Sequence, residues 1–145
     1  MPRVLPVTAS DEDIRKLVVE WLELVAKKKF AAALEMFEAV QEGEEWTPEF
    51  LENWLANYGY FERNEGVAAK EVTSLFDLPD PEAAIAGIEV DRENLYGLDP
   101  ELYVGMVHYE QVPLDGSPSD LTALFHIMKV GDDGITLELL SVHVM

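Results

Sequence analysis

Residues 121–144 read LTALFHIMKV-GDDG-ITLELLSVHV. Two runs rich in β-branched, aromatic and leucine residues flank two glycines and two aspartates, the pattern of a β-hairpin. In Leu121–Val130, the residues Leu121, Ala123, Phe125 and Ile127 share one face of a strand, while Leu124 and Met128 lie on the other with Thr122 and His126. Both faces are therefore partly covered. In Ile135–Val144 the parity changes: Ile135, Leu137 and Leu139 alternate on one face, then Leu140, Val142 and Val144 continue on the other. One extra residue does this, so the run predicts a β-bulge and a curved sheet.

Working upstream, Leu102–Val112 is a third run of the same kind, set off by the breakers of Pro113–Ser119. Three strands joined by two hairpins make an antiparallel meander. Before them the period changes to that of helices. Ser10 followed by Asp11, Glu12 and Asp13 is an N-cap with acids at the positive end of the helix dipole, and Ile14, Leu17, Val18, Trp21 and Val25 form its apolar stripe. Lys27, Lys28 and Lys29 close it, where the dipole favours cations. A second helix is predicted from Phe30 to about Val40, burying Phe30, Leu34 and Phe37. Thr47-Pro48 starts a third, which ends near Gly59 with Phe50, Leu51, Trp54, Leu55 and Tyr58 along one side and Tyr60 and Phe61 beyond it. From Gly66 to Pro100 prolines and glycines break the pattern, and only a short strand around Ala86–Val90 is predicted there.

Helices first and a meander afterwards define an α+β domain over residues 1–145, its helices packed on a curved antiparallel sheet. This order of elements resembles the cystatin-like or nuclear-transport-factor-2-like superfold, which implies a sheet wrapped on helices around a cone-shaped cavity. Ser119-Asp120-Leu121-Thr122 and the terminal Ser141-Val142-His143-Val144 resemble a family of small uncharacterised bacterial proteins, the likeness covering mainly residues 102–145. That family carries no assigned chemistry, so the resemblance implies a fold and no activity.

Composition narrows the function classes. The chain has 145 residues, no cysteine, 29 acidic against 10 basic side chains and a formal charge of −19. Without cysteine there is no disulfide scaffold, thiolate nucleophile or cysteine zinc site. The negative charge opposes nucleic acid and anionic lipid, and no apolar run has the length of a membrane span or the form of a secretory leader, so a cytoplasmic protein is expected. The charge is uneven: residues 1–65 carry 7 basic and 14 acidic groups, residues 66–145 carry 3 and 15. Between Glu71 and Glu101 nine acids face Arg92 alone.

Candidate chemistry is sparse. His108, His126 and His143 all fall in predicted strands, without the regular ligand spacing of a zinc motif, and no metal or other cofactor is expected. If Val130 pairs with Ile135, His126 stands opposite Leu139 and His143 opposite Thr122, which separates those two imidazoles along the sheet. Asp120, just before a strand, is suited to tying down turn amides, and Asp91, Glu93, Asp132 and Asp133 lack the loop of a calcium site. Phosphate loops, nucleophile elbows, dinucleotide fingerprints and zincin motifs are absent from the sequence.

Two function classes follow. The first is a non-enzymatic interaction domain, immunity-like in its concrete form, that docks a basic protein partner through Asp91, Glu93, Asp99 and Glu101 with Tyr96 and Tyr103 as contact anchors. The second is a pocket protein, binding a small molecule or acting as an isomerase- or dehydratase-like enzyme. Its cone would lie among Trp21, Trp54, Tyr58, His108, Tyr109 and His126. Neither class fixes the oligomeric state, and a homodimer is compatible with both.

Overall fold

The computed structural model describes residues 4–36, 47–56, 71–93, 99–119 and 121–144. Of the positions singled out above, Phe37, Val40, Tyr58, Gly59, Tyr60, Phe61, Gly66, Tyr96 and Asp120 lie outside these residues, as do the side chains of Phe50, Trp54, Leu140, Val142, His143 and Val144.

Ser10 caps helix α1, Asp11–Ala26, reciprocally: its hydroxyl accepts from the Asp13 amide at 3.2 Å and the Asp13 carboxylate accepts from the Ser10 amide at 3.1 Å. The predicted stripe is buried in full, joined by Leu22. The helix ends before the three lysines, and Lys28 reverses the chain at φ 61°. Its ammonium meets Glu71 at 2.9 Å, a hydrogen bond and charge that raise the Lys28 pKa. In helix α2, Phe30–Glu35, the predicted Phe30 and Leu34 pack half-buried against the core, while Ala33 and the capping Met36 are buried. Helix α3, Pro48–Ala56, buries Leu51 and Leu55.

The described residues of the stretch expected to hold little beyond one short strand, 71–93 and 99–100, contain more regular structure than that. Ser74 caps a 3₁₀ turn at Leu75–Asp77, and helix α4, Pro81–Ala86, opens with the Asp80 carboxylate accepting from the Ala83 amide at 3.1 Å. The predicted strand Ala86–Val90 is displaced to Glu89–Asp91, because Ala86 completes α4 and Gly87 caps it.

The main sheet has five antiparallel strands: β1 (Leu5–Pro6), β2 (Glu89–Asp91), β3 (Tyr103–Tyr109), β6 (Leu121–Val130) and β7 (Gly134–Val144), in spatial order β1-β7-β6-β3-β2. Between β3 and β6 a small hairpin of β4 (Pro113–Leu114) and β5 (Ser117–Pro118) turns at Asp115 and Gly116, both at positive φ. The α+β architecture is that expected, with helices packed on a curled antiparallel sheet. Two register shifts, at Val104 against β6 and at Leu140 against Leu124 and Phe125, supply the bulges that curl it. The predicted parity change in β7 is the second of these.

Core packing follows the alternation. Val107, Tyr109, Leu121, Ala123, Phe125, Ile127, Ile135, Leu137 and Leu139 face α1, and Trp21 meets the Phe125 ring edge-on at 5.3 Å and 87°. No helix among the described residues is long and apolar enough to cross a membrane.

Candidate functional site

Strand direction gathers one set of acids. At one end of the sheet β2 and β6 finish while β3 and β7 begin: Asp91 pairs with Met106, Tyr103 with Met128, and Val130 with Gly134. The same end receives the start of α1, since the Val7 amide donates to the Asp133 carbonyl at 2.7 Å and the Arg92 Nε to Asp11 at 2.8 Å. Asp91, Glu93, Asp99 and Glu101 are thus joined by Asp11, Glu12, Asp13, Asp132 and Asp133, which sequence proximity alone does not connect to them. Local amides fix three of these carboxylates, Asp13 through the Ser10 cap described above. Asp91 accepts from the Glu93 amide at 3.0 Å and Asp99 from the Glu101 amide at 2.9 Å, the Asx turns their side chains favour.

Cations at this end are spent on the fold itself. Arg92 also donates to the Ala9 carbonyl at 2.8 Å, Arg15 donates to the Ile88 carbonyl at 2.8 Å and lies 3.5 Å from Glu12, and Lys129 donates to the Pro100 carbonyl at 3.1 Å. Against nine carboxylates these three are the balancing charges among the described residues. An open groove of about 480 Å³ runs between α1 and β2, lined by Asp11, Arg15, Glu89, Val90, Asp91, Arg92 and Glu93. Its acids suit cationic side chains.

The residues proposed for an internal pocket divide between the two faces of the sheet. Trp21 and Tyr109 lie in the core on the α1 side, whereas His108 and His126 alternate with core residues and occupy the opposite face. They do not line one cavity together. Trp21 Nε1 and the Tyr109 hydroxyl are buried without a hydrogen-bond partner among the described residues, a cost of about 1–3 kcal/mol each. Burial also pushes the Tyr109 phenol up to about 12. Because the unfolded phenol ionises near its ordinary value of 10.0, stability present below that pH is lost as pH rises toward 12, at about 1.4 kcal/mol per unit. Tyr109→Phe should therefore gain about 1 kcal/mol at neutral pH and flatten this alkaline loss, both measured by urea denaturation at pH 7 and across pH 10 to 11.

On the opposite face the register differs by one residue from that expected. Val130 pairs with Gly134 rather than Ile135, so Glu138, not Leu139, stands opposite His126, and the bulge at Leu140 then restores His143 to Thr122 as predicted. Glu138 is 1% exposed and its carboxylate lies 3.1 Å from His126 Nδ1. Tyr103 completes the group: its ring meets the imidazole edge-on at 5.2 Å and its hydroxyl lies 3.5 Å from both Glu138 oxygens. Burial and the neighbouring carboxylate raise the Tyr103 pKa. Tyr103 is thus half-buried against Glu138 rather than fully displayed beside the acids. His108 stands opposite Leu124 and Glu89, one row away, and does not pair with His126.

No family model, curated protein or solved structure matches the chain. The resemblance to the cystatin-like and nuclear-transport-factor-2-like superfold accordingly rests on the order of elements.

Proposed function

We propose that the protein is an interaction domain that docks a basic protein partner at the acidic end of its sheet, an immunity-like role carried out in the bacterial cytoplasm. One observation supports it most: nine carboxylates from α1, the β2–β3 connection and the β6–β7 turn meet where the three cations are already held by backbone carbonyls and acids. Lysine and arginine side chains of a partner would find more carboxylates than cations around an open groove. Complementary charge of this kind accelerates encounter and rejects acidic competitors.

The test is Asp91→Asn, Glu93→Gln, Asp99→Asn and Glu101→Gln combined. Asparagine keeps the oxygen that accepts in both Asx turns, so the fold is retained while four charges go. The association rate with the partner should fall by about 10-fold or more at low ionic strength, and its salt dependence should flatten. An unchanged rate removes this end of the sheet from the interface.

A further inference from the structure

We propose that the basic partner engages the acidic end through an amphipathic helix whose apolar side chains seat on Val4, Val7 and Leu102, to either side of the β6–β7 turn. This rests on the docking reading and names the chemistry of the partner. Four large apolar side chains stand open to solvent among the described residues: Val4 at 50%, Val7 at 42%, Leu102 at 54% and Phe76 at 56%. Phe76 belongs to the 3₁₀ turn just after Thr73, whose amide donates to the Pro113 carbonyl at the far end of the sheet. The other three share the acidic end.

Backbone contacts hold them there. The Val7 amide is bonded to the Asp133 carbonyl, and a Cβ at Gly134 would lie only 2.7 Å from Val4 Cγ1, so the glycine leaves the room that Val4 takes over the start of β7. Leu102 is pinned through both backbone groups: its amide donates to the Asp99 carbonyl at 2.9 Å and its carbonyl accepts from the Lys129 amide at 2.7 Å. Strand order then places Asp132 and Asp133, in the turn from β6 to β7, between the two valines and Leu102. From β1 to β3 is three strand spacings, about 14 Å. Three turns of α-helix cover about 16 Å and return to the same face. A helix with apolar residues about eleven positions apart and lysines or arginines between them therefore matches the series apolar, acidic, apolar.

Scattered apolar side chains on a surface need no partner; these differ in sharing one end with the nine carboxylates. A second copy of this chain would bring the same carboxylates against them, which like charge opposes. Charge steers the encounter, and apolar contact, once made, slows dissociation.

The probes are two helical peptides of about eighteen residues made of alanine and lysine, one carrying two leucines about eleven positions apart on the lysine face and the other alanine in both places. The native chain should bind the leucine peptide about 10-fold more tightly, the difference lying in the dissociation rate. Val4→Thr, Val7→Thr and Leu102→Gln combined leave the net charge unchanged; this variant, checked for fold by circular dichroism, should lose the preference for leucine and keep the salt-dependent binding of the alanine peptide. Equal affinity of the native chain for the two peptides, or a preference that survives in the variant, overturns the apolar seat and leaves the docking reading standing. Binding of neither peptide overturns both. Self-association of the native chain in sedimentation, abolished in the variant, assigns the patch to a second copy and overturns the proposal as well. Should the variant fail to fold, amide exchange in the native chain decides: extra protection at residues 4–7 and 101–103 with the leucine peptide alone supports the seat, and identical footprints of the two peptides overturn it.

Discussion

Trp21→Ala should cost about 3–5 kcal/mol, a large part of the roughly 5–15 kcal/mol that holds a domain of this size. The indole is 1% exposed and its contact with Phe125 joins α1 to the central strands β6 and β3. Truncation leaves a cavity against Phe125, which the central strand β6 holds in place, so collapse is limited. One term opposes the loss: the unpartnered indole N–H disappears too, which moves the cost toward the lower end of the range. Trp21→Phe separates these terms. It keeps a ring against Phe125, removes the orphaned donor, and should cost less than about 1.5 kcal/mol. Urea midpoints at constant slope measure both changes. A loss below about 1 kcal/mol for Trp21→Ala would show that α1 is not docked on the sheet through this residue.

Gly105→Ala should be the second large effect, and it connects the fold to the acidic end. A Cβ at Gly105 would run into the Asp91 carbonyl oxygen and lie 3.0 Å from the Arg92 Cα, both backbone atoms that cannot rotate aside. Strand β2 must then move off β3. An overpacking cost of about 1–3 kcal/mol is expected, with the larger part at this edge because β2 is only three residues long. Moving β2 also displaces Asp91 and Arg92, which carry the link to Asp11. Partner association should therefore weaken with stability, whereas Tyr109→Phe, deep in the core, changes stability alone. Hydrogen exchange at the β2 amides gives the local readout, and unchanged protection there would contradict the close approach.

What the sequence disclosed depended on how far each signal reaches along the chain. The cap at Ser10, the stripe from Ile14 to Val25 and the strand alternation of Leu121–Ile127 are periodicities within one element, and burial follows them residue by residue. The bulge at Leu140 was legible as a change of parity. By contrast α4 buries no residue completely, so it has no apolar stripe to read; its Asp80-Pro81 start repeats the logic of Thr47-Pro48. Strand β2 has two acids in three residues and owes its conformation to pairing with β3, not to propensity. In α2 the small Ala33 is the position buried completely while the bulkier Phe30 and Leu34 pack half-buried against the core, a difference that side-chain size does not reveal.

The candidate site shows the same divide. Asp91, Glu93, Asp99 and Glu101 are close in sequence and were legible as a group. Asp11 and Asp133 join them only through the strand order and the Arg92 contact, which no local pattern encodes. His126 and Glu138 were separated in the predicted register by a single residue, because the turn was closed at Ile135 instead of Gly134. A one-residue slip exchanges the faces of a strand, so it replaced a buried carboxylate with Leu139 as the partner of the imidazole. The available signal was Glu138 itself, an acid in the middle of an apolar run.

The most direct test of the docking proposal is an amide hydrogen-exchange footprint. A basic protein captured at low salt, then purified, is mixed with the native chain and with the four-charge variant. Protection should rise at Asp91–Glu93, Asp99–Glu101 and Gly131–Gly134 in the native chain, weaken with added salt, and be largely lost in the variant. Protection confined to the opposite end, around Lys27–Lys29 and the β4–β5 hairpin, or a footprint identical in native chain and variant, would contradict an acidic docking surface.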